Sequence, residues 1–113
     1  MMKEVLVYDS QLGYYEMLKS RLKEGFNFVL FTRGMTKIAE EFDAVLFFLH
    51  EDIELIDLSR LYNAKVPIII GLSKDVAEET TQGNIYTLNL QQTKKGLIKR
   101  VRMLLKKLRD IAA

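Results

Sequence analysis

The sequence predicts an α/β domain in which helices pack on a five-stranded parallel sheet. Three observations carry this. Five apolar runs alternate with helix-like segments along the 113 residues. Three of those runs are nearly unbroken in Val, Ile, Leu and Phe, as strands buried on both faces are. The chain also closes on a long segment with helical apolar spacing. Strands separated by helices need right-handed crossovers, and those give a parallel sheet.

Val5–Tyr8 is the first buried run, and Leu12–Lys23 the first helical segment. Phe26–Phe31 is the second run, and Asn27 inside it marks a candidate edge strand. A short helical segment, Thr36–Glu41, precedes the third run, Ala44–Leu49, which has no polar break before His50, Glu51 and Asp52. The next helix spans Ile53–Asn63, with apolar spacing at Ile53, Ile56, Leu58 and Leu61 and Asp52 as its expected cap. Val66–Leu72 is the fourth run, and Asp75–Thr81 a further short helical segment. The fifth run, Ile85–Leu90, alternates: Tyr86, Leu88 and Leu90 on one face, Ile85, Thr87 and Asn89 on the other. That is an edge-strand pattern. The last helix is capped by Thr93 and carries one stripe of Leu97, Val101, Leu104, Leu105, Leu108 and Ile111. With the second and fifth strands at the edges the order is 2-1-3-4-5, a flavodoxin-like three-layer sandwich. The chain reads as one domain over 1–113, without internal repeats or a low-complexity linker.

Composition narrows the function classes. No cysteine is present, so there is no disulfide framework, thiolate metal site or Cys nucleophile. No apolar stretch approaches the length of a membrane span, and MMKEVLVYDS does not read as a signal peptide. A cytoplasmic domain is expected. The net charge of +2 conceals an asymmetry. From Lys94 to Arg109 there are eight basic residues and no acid, while residues 1–93 hold nine basic against fourteen acidic residues, a net of −5. Such a split bears on partners more than on fold.

In this strand order the functional rim lies beyond the C-terminal ends of the strands. The residues delivered there are Asp9 and Ser10, Phe48 to His50, Leu72 and Ser73, and Leu90 and Gln91. The stretches VLVYDS, FDAVLFFLHED, VPIIIGLSKD and the GN…LNL…RVRMLLKKL ending resemble the receiver domain of two-component response regulators. The resemblance covers nearly the whole chain. It rests on strand spacing, the Val66-Pro67 start of the fourth strand, the Ser-Lys-Asp after it and the last helix.

The resemblance implies phosphoryl transfer onto an aspartate at the end of the third strand. Two acids after the first strand would hold Mg²⁺, and a hydroxyl and a lysine after the fourth and fifth strands would contact the phosphoryl oxygens. Carried over position by position, almost all of this is missing. Asp9 matches the first metal-binding acid, but Ser10 replaces the second. Phe48 falls at the nucleophile, Leu72 at the hydroxyl with Ser73 beside it, and Leu90 at the lysine with Gln91 where the family usually has proline. Thr87 falls where many receivers place a switching aromatic, one residue from Tyr86. A register slip of one puts Leu49 at the nucleophile position, with the same consequence; a slip of two puts His50 there. The expectation is a degenerate receiver, or pseudo-receiver, with no catalytic residue, no cofactor and no phosphoacceptor. Its rim acids have given way to core, an exchange of buried charge for packed apolar groups that is often neutral or stabilising by about 1–4 kcal/mol.

Other chemistries fare less well. Asp9 reads better as a helix cap than as a metal ligand. Asp9, His50, Glu51 and Asp52 are chemically suited to a divalent ion, but their spacing matches no ligand motif. Ser73 lacks His and acid partners for a nucleophile role. Neither GxGxxG nor GxxxxGK[ST] is present, and DSQLGYY is a poor flavin phosphate loop.

The basic last helix is the positive feature. It reads either as a solvated cationic face or as a protein-contact face, since receivers commonly dock partners through the fifth strand and its flanking helices. The expected contact surface joins Thr87 and Asn89 to Lys95, Lys99, Arg102 and Lys106. A protein partner or self-association is the leading expectation. Nucleic acid is the alternative, because lysines and arginines contact phosphates, but no basic turn, recognition helix or aromatic platform accompanies them.

Overall fold

A computed structural model describes residues 3–22, 24–32, 41–62, 65–73, 81–82 and 84–112. The strands are β1 (Lys3–Tyr8), β2 (Phe26–Leu30), β3 (Ala44–Leu49), β4 (Ile68–Leu72), β5 (Thr81–Gln82) and β6 (Ile85–Asn89). The helices are α1 (Gly13–Arg21), α2 (Leu55–Leu61) and α3 (Lys94–Ala112), with a 3-10 turn, Asp52–Glu54, leading into α2. The five parallel strands run in the order β2-β1-β3-β4-β6. This is the expected 2-1-3-4-5 arrangement, flavodoxin-like, with β6 as its fifth member.

Burial on both faces results from strand alternation. Val5 and Val7 of β1, Leu46 and Phe48 of β3, and Leu88 of β6 face one side, where Leu18 and Leu22 at α1 and Leu97, Val101, Leu104 and Leu105 of α3 close the layer. Leu6, Tyr8, Val45, Phe47 and Ile68 face the other side, against Leu61 of α2. The sheet therefore separates α1 and α3 from α2. The fifth run alternates as expected, with Tyr86, Leu88 and Leu90 buried and Thr87 and Asn89 half-buried.

Several expectations need correction. The first helix begins at Gly13, because Leu12 takes a left-handed φ of 66° as the chain turns out of β1. A non-glycine residue in that region costs about 1–2 kcal/mol, and Leu12 is exposed, so packing does not compel it. The helix expected from Ile53 opens as the 3-10 turn, and Ile53 and Ile56 face solvent while Glu54, Leu58 and Leu61 turn inward. Asp52 lies within that turn, preceded by Glu51 as its cap residue. Thr81, expected at a helix end, instead pairs antiparallel with Tyr86, so β6 is not a bare edge. Residues 23, 36–40, 63 and 75–80 of the expected helices lie outside the described residues, as do the side chains of Leu108 and Ile111. Thr93 caps α3 as expected: its Oγ1 accepts from the Gly96 N–H at 3.1 Å and its carbonyl from the Leu97 N–H at 2.8 Å.

Candidate functional site

The rim beyond β1, β3, β4 and β6 divides into an apolar plug and a polar latch. The plug begins with strand register. Phe48 pairs with Gly71 on β4, and Gly71 with Leu88 on β6, so the three lie in one row. Phe48 is 1% exposed, and its ring stacks on Tyr14 with centroids 4.6 Å apart and planes 7° apart. Leu90 is buried just past β6, held by its N–H donating to the Leu72 carbonyl at 2.9 Å. A Cβ added at Gly71 would stand 2.9 Å from a Leu90 methyl and 3.0 Å from the Phe48 ring edge. Phe48 and Leu90 thus occupy the space above Gly71, and a side chain there would force Leu90 or the Phe48 ring to shift. Gly71→Ala is expected to cost about 1–3 kcal/mol through overpacking, and Gly71→Val more, measured by urea denaturation.

The latch centres on Asp9, a carboxylate 3% exposed. Its Oδ2 accepts from the backbone N–H groups of Tyr14 at 2.8 Å and Tyr15 at 3.0 Å. Its Oδ1 accepts from the Gln11 N–H at 3.2 Å and meets His50 Nε2 at 2.6 Å. A carboxylate offers about four acceptor sites, and all four are engaged. The capping reading of Asp9 is therefore the geometry found, with the positive end of α1 as a further source of stabilisation. The sequence grouped His50 with Asp9 only as a metal set with Glu51 and Asp52; the structure joins the two by a direct hydrogen bond. Tyr14 lies over His50 as well as Phe48, at 5.8 Å between centroids, so one ring bridges plug and latch.

Glu54 completes the latch. It is 7% exposed, and its Oε1 accepts from the His50 N–H at 2.7 Å and the Glu51 N–H at 2.9 Å. Desolvation by burial pushes its carboxyl upward. The Glu51 N–H, the Ser10 hydroxyl, the His50 N–H and the charge of the His50 ring together outweigh that and hold it below the ordinary glutamate range. A folded pKa below the unfolded one stabilises the fold above the unfolded value, about 4.3, and that contribution is lost as pH falls through the folded value. Glu54→Gln is expected to flatten the acid limb of stability below about pH 4–5, checked by thermal melts from pH 7 down to pH 3.

The other rim residues selected from the sequence lie outside plug and latch or at their margins. Ser10 is bound to Glu54. Leu72 is half-buried and, by alternation with Gly71, faces away from Phe48 and Leu90. Ser73 is exposed, and its carbonyl accepts from Gln91 Nε2 at 2.8 Å. Asp9 and His50 meet, but among the described residues no group of three or more His, Cys, Asp and Glu side chains is arranged to hold a metal ion.

The expected contact residues do not share one face. α3 covers the side of the sheet on which Tyr86, Leu88 and Leu90 lie, whereas Thr87 and Asn89 point to the opposite side. Asn89 is engaged locally, its Oδ1 accepting from the Gln91 N–H at 2.8 Å. Lys95, Lys99, Arg102 and Lys106 recur at spacings of four and three, which makes one stripe along α3. Arg102 and Lys106 also border a cleft of about 470 Å³ with Arg21, Leu22, Glu24 and Phe26. Among the described residues none of Arg21, Arg102 and Lys106 is ion-paired. Arg21 was not anticipated; it stands in the last turn of α1, where a cation also suits the helix dipole.

Among the described residues no helix is long and apolar enough to cross a membrane. No family model, curated protein or solved structure matches this chain.

Proposed function

We propose that this domain is a receiver-like module that works without phosphorylation and serves as a cytoplasmic protein-interaction element in signal transduction or regulation. The observation that supports the reading most is the plug. At the position the receiver resemblance assigns to the phosphoacceptor, an apolar ring is 1% exposed under Tyr14, and Leu90 fills the neighbouring space. A ring has no lone pair to attack phosphorus, and Asp9 spends its acceptor sites on α1 and His50. On this reading the domain is not an enzyme.

The docking surface is the cationic stripe of α3. Its four cations, Lys95, Lys99, Arg102 and Lys106, are solvent-exposed, and charged rims of this kind raise association rates and select partners of opposite sign. The test is affinity capture by the wild-type chain and by a Lys99→Glu, Arg102→Glu, Lys106→Glu variant, with and without nuclease. The expected result is a discrete protein that survives nuclease and is lost in the variant. Equal capture by both chains would remove α3 from the reading.

One observation favours a second reading. Arg21 joins Arg102 and Lys106 around the cleft beside Phe26, so three cations from two helices stand against one acid, Glu24, on one concavity. That arrangement suits an anionic partner, nucleic acid included. Capture abolished by nuclease, with binding that weakens steeply as salt rises, would favour it over a protein partner.

A further inference from the structure

Among the described residues the exposed large apolar side chains are Leu12 in the β1–α1 turn, Ile53, Leu55, Ile56 and Tyr62 on and beside α2, and Met103 on α3; those of α2 and α3 stand among charges of opposite sign. On the α2 side, Ile53 is 70% exposed, Leu55 48% and Ile56 56%. Besides the buried Glu54, the segment from Glu51 to Leu61 that presents them carries three acids, Glu51, Asp52 and Asp57, against one cation, Arg60. On α3, Met103 is 52% exposed. It lies with Arg100, Leu104, Lys106 and Lys107 along a shallow groove of about 440 Å³. From Lys94 to Lys107 there are seven cations and no acid.

We propose that these two surfaces bind each other between copies of the chain, so that the protein associates head to tail. The occupant of each patch is a second copy because the chain carries its own complement. Residues 1–93 have a net charge of −5, and the eight cations after them lie on α3 without an acid among them up to Arg109. Apolar centres flanked by opposite charge supply both parts of a specific contact, desolvation at the middle and orientation from the rim. Geometry decides the symmetry. α2 packs on the sheet face lined by Leu6, Val45 and Phe47, and α3 on the face lined by Val7, Leu46 and Phe48. The two patches are thus on opposite sides of a molecule measuring 33 × 31 × 28 Å. A two-fold dimer cannot engage both pairs at once across such a body. The contact is heterologous, and each added copy leaves one patch of each kind open.

This inference does not depend on the receiver reading. Its test is sedimentation velocity of the full chain over a concentration series at low and high salt, with Ile56→Glu and Met103→Glu alone and mixed. Wild type is expected to grow in mass with concentration at low salt without stopping at a dimer, and to fall back at high salt. Each variant alone is expected to be a monomer. Mixed, they are expected to give a one-to-one dimer and nothing larger, because each supplies the patch the other has lost. Both sites are exposed, and a circular-dichroism melt checks that each variant is folded; Ile53→Glu and Lys107→Glu replace either one that is not. A wild-type monomer throughout the series, a plateau at dimer, self-association of either folded variant, or a mixture that stays monomeric would each overturn the proposal.

Discussion

Phe48→Asp is expected to unfold the domain rather than to restore a phosphoacceptor. The substitution places a carboxylate where the neighbours are the Tyr14 face, the Leu90 methyls and Gly71. None of these side chains donates a hydrogen bond to it. An unpaired buried charge is costly enough that such groups neutralise or the fold opens, and loss of the ring alone costs about 3–5 kcal/mol. Against a typical domain stability of about 5–15 kcal/mol, that removes most of the margin. Phe48→Leu, which keeps most of the volume, is expected to lose only about 1–2 kcal/mol. Urea denaturation of the two variants beside wild type separates the outcomes. A well-folded Phe48→Asp of near wild-type midpoint would mean that the rim has room and solvent for an acid.

The second large effect is expected at Asp9. Asp9→Ala leaves the Gln11, Tyr14 and Tyr15 N–H groups and the His50 ring without their acceptor. Each buried donor left without its acceptor costs about 1–3 kcal/mol, and the helix cap is lost with them. Asp9→Asn keeps one acceptor oxygen and is expected to lose about 1–3 kcal/mol. A double-mutant cycle with His50→Gln isolates the pair, with a coupling above about 1 kcal/mol expected from direct contact. Additive losses would mean that Asp9 acts through α1 alone.

How much of this was legible in the sequence depends on the range of the interaction. The sheet order can be read from unbroken runs such as Ala44–Leu49 and from alternation at Ile85–Asn89, both local patterns. The Thr93 cap is local too. That Phe48 and Leu90 reach the rim was readable once the strands were placed, because strand periodicity fixes which residues lie there. Strand placement brought Asp9 and His50 to one rim, but their direct pairing was not readable, since they are 41 residues apart and the grouping considered for them was a metal set with Glu51 and Asp52.

The helix after β3 misled for a different reason. Its inward positions are Glu54, Leu58 and Leu61, and the first of these is a buried acid held by backbone N–H groups. An apolar stripe starting at Ile53 is the natural reading only if charge stays outside. The 3-10 start, with three residues per turn in place of 3.6, also shifts the phase of α2 behind it. The β5–β6 hairpin did leave a sign: two residues, Gly83 and Asn84, separate Gln82 from Ile85, a spacing and composition that favour a tight turn. Asn84 serves beyond the turn, its Nδ2 donating to the Val66 carbonyl at 2.8 Å.

On the proposed reading the rim carries no phosphoacceptor. The measurement that decides this is the intact mass of the wild-type chain after incubation with Mg²⁺ and a small phosphodonor. No mass gain is expected, at any time or donor concentration. Gain of one phosphoryl group, mapped to an acid or to His50 at the rim, would contradict the account.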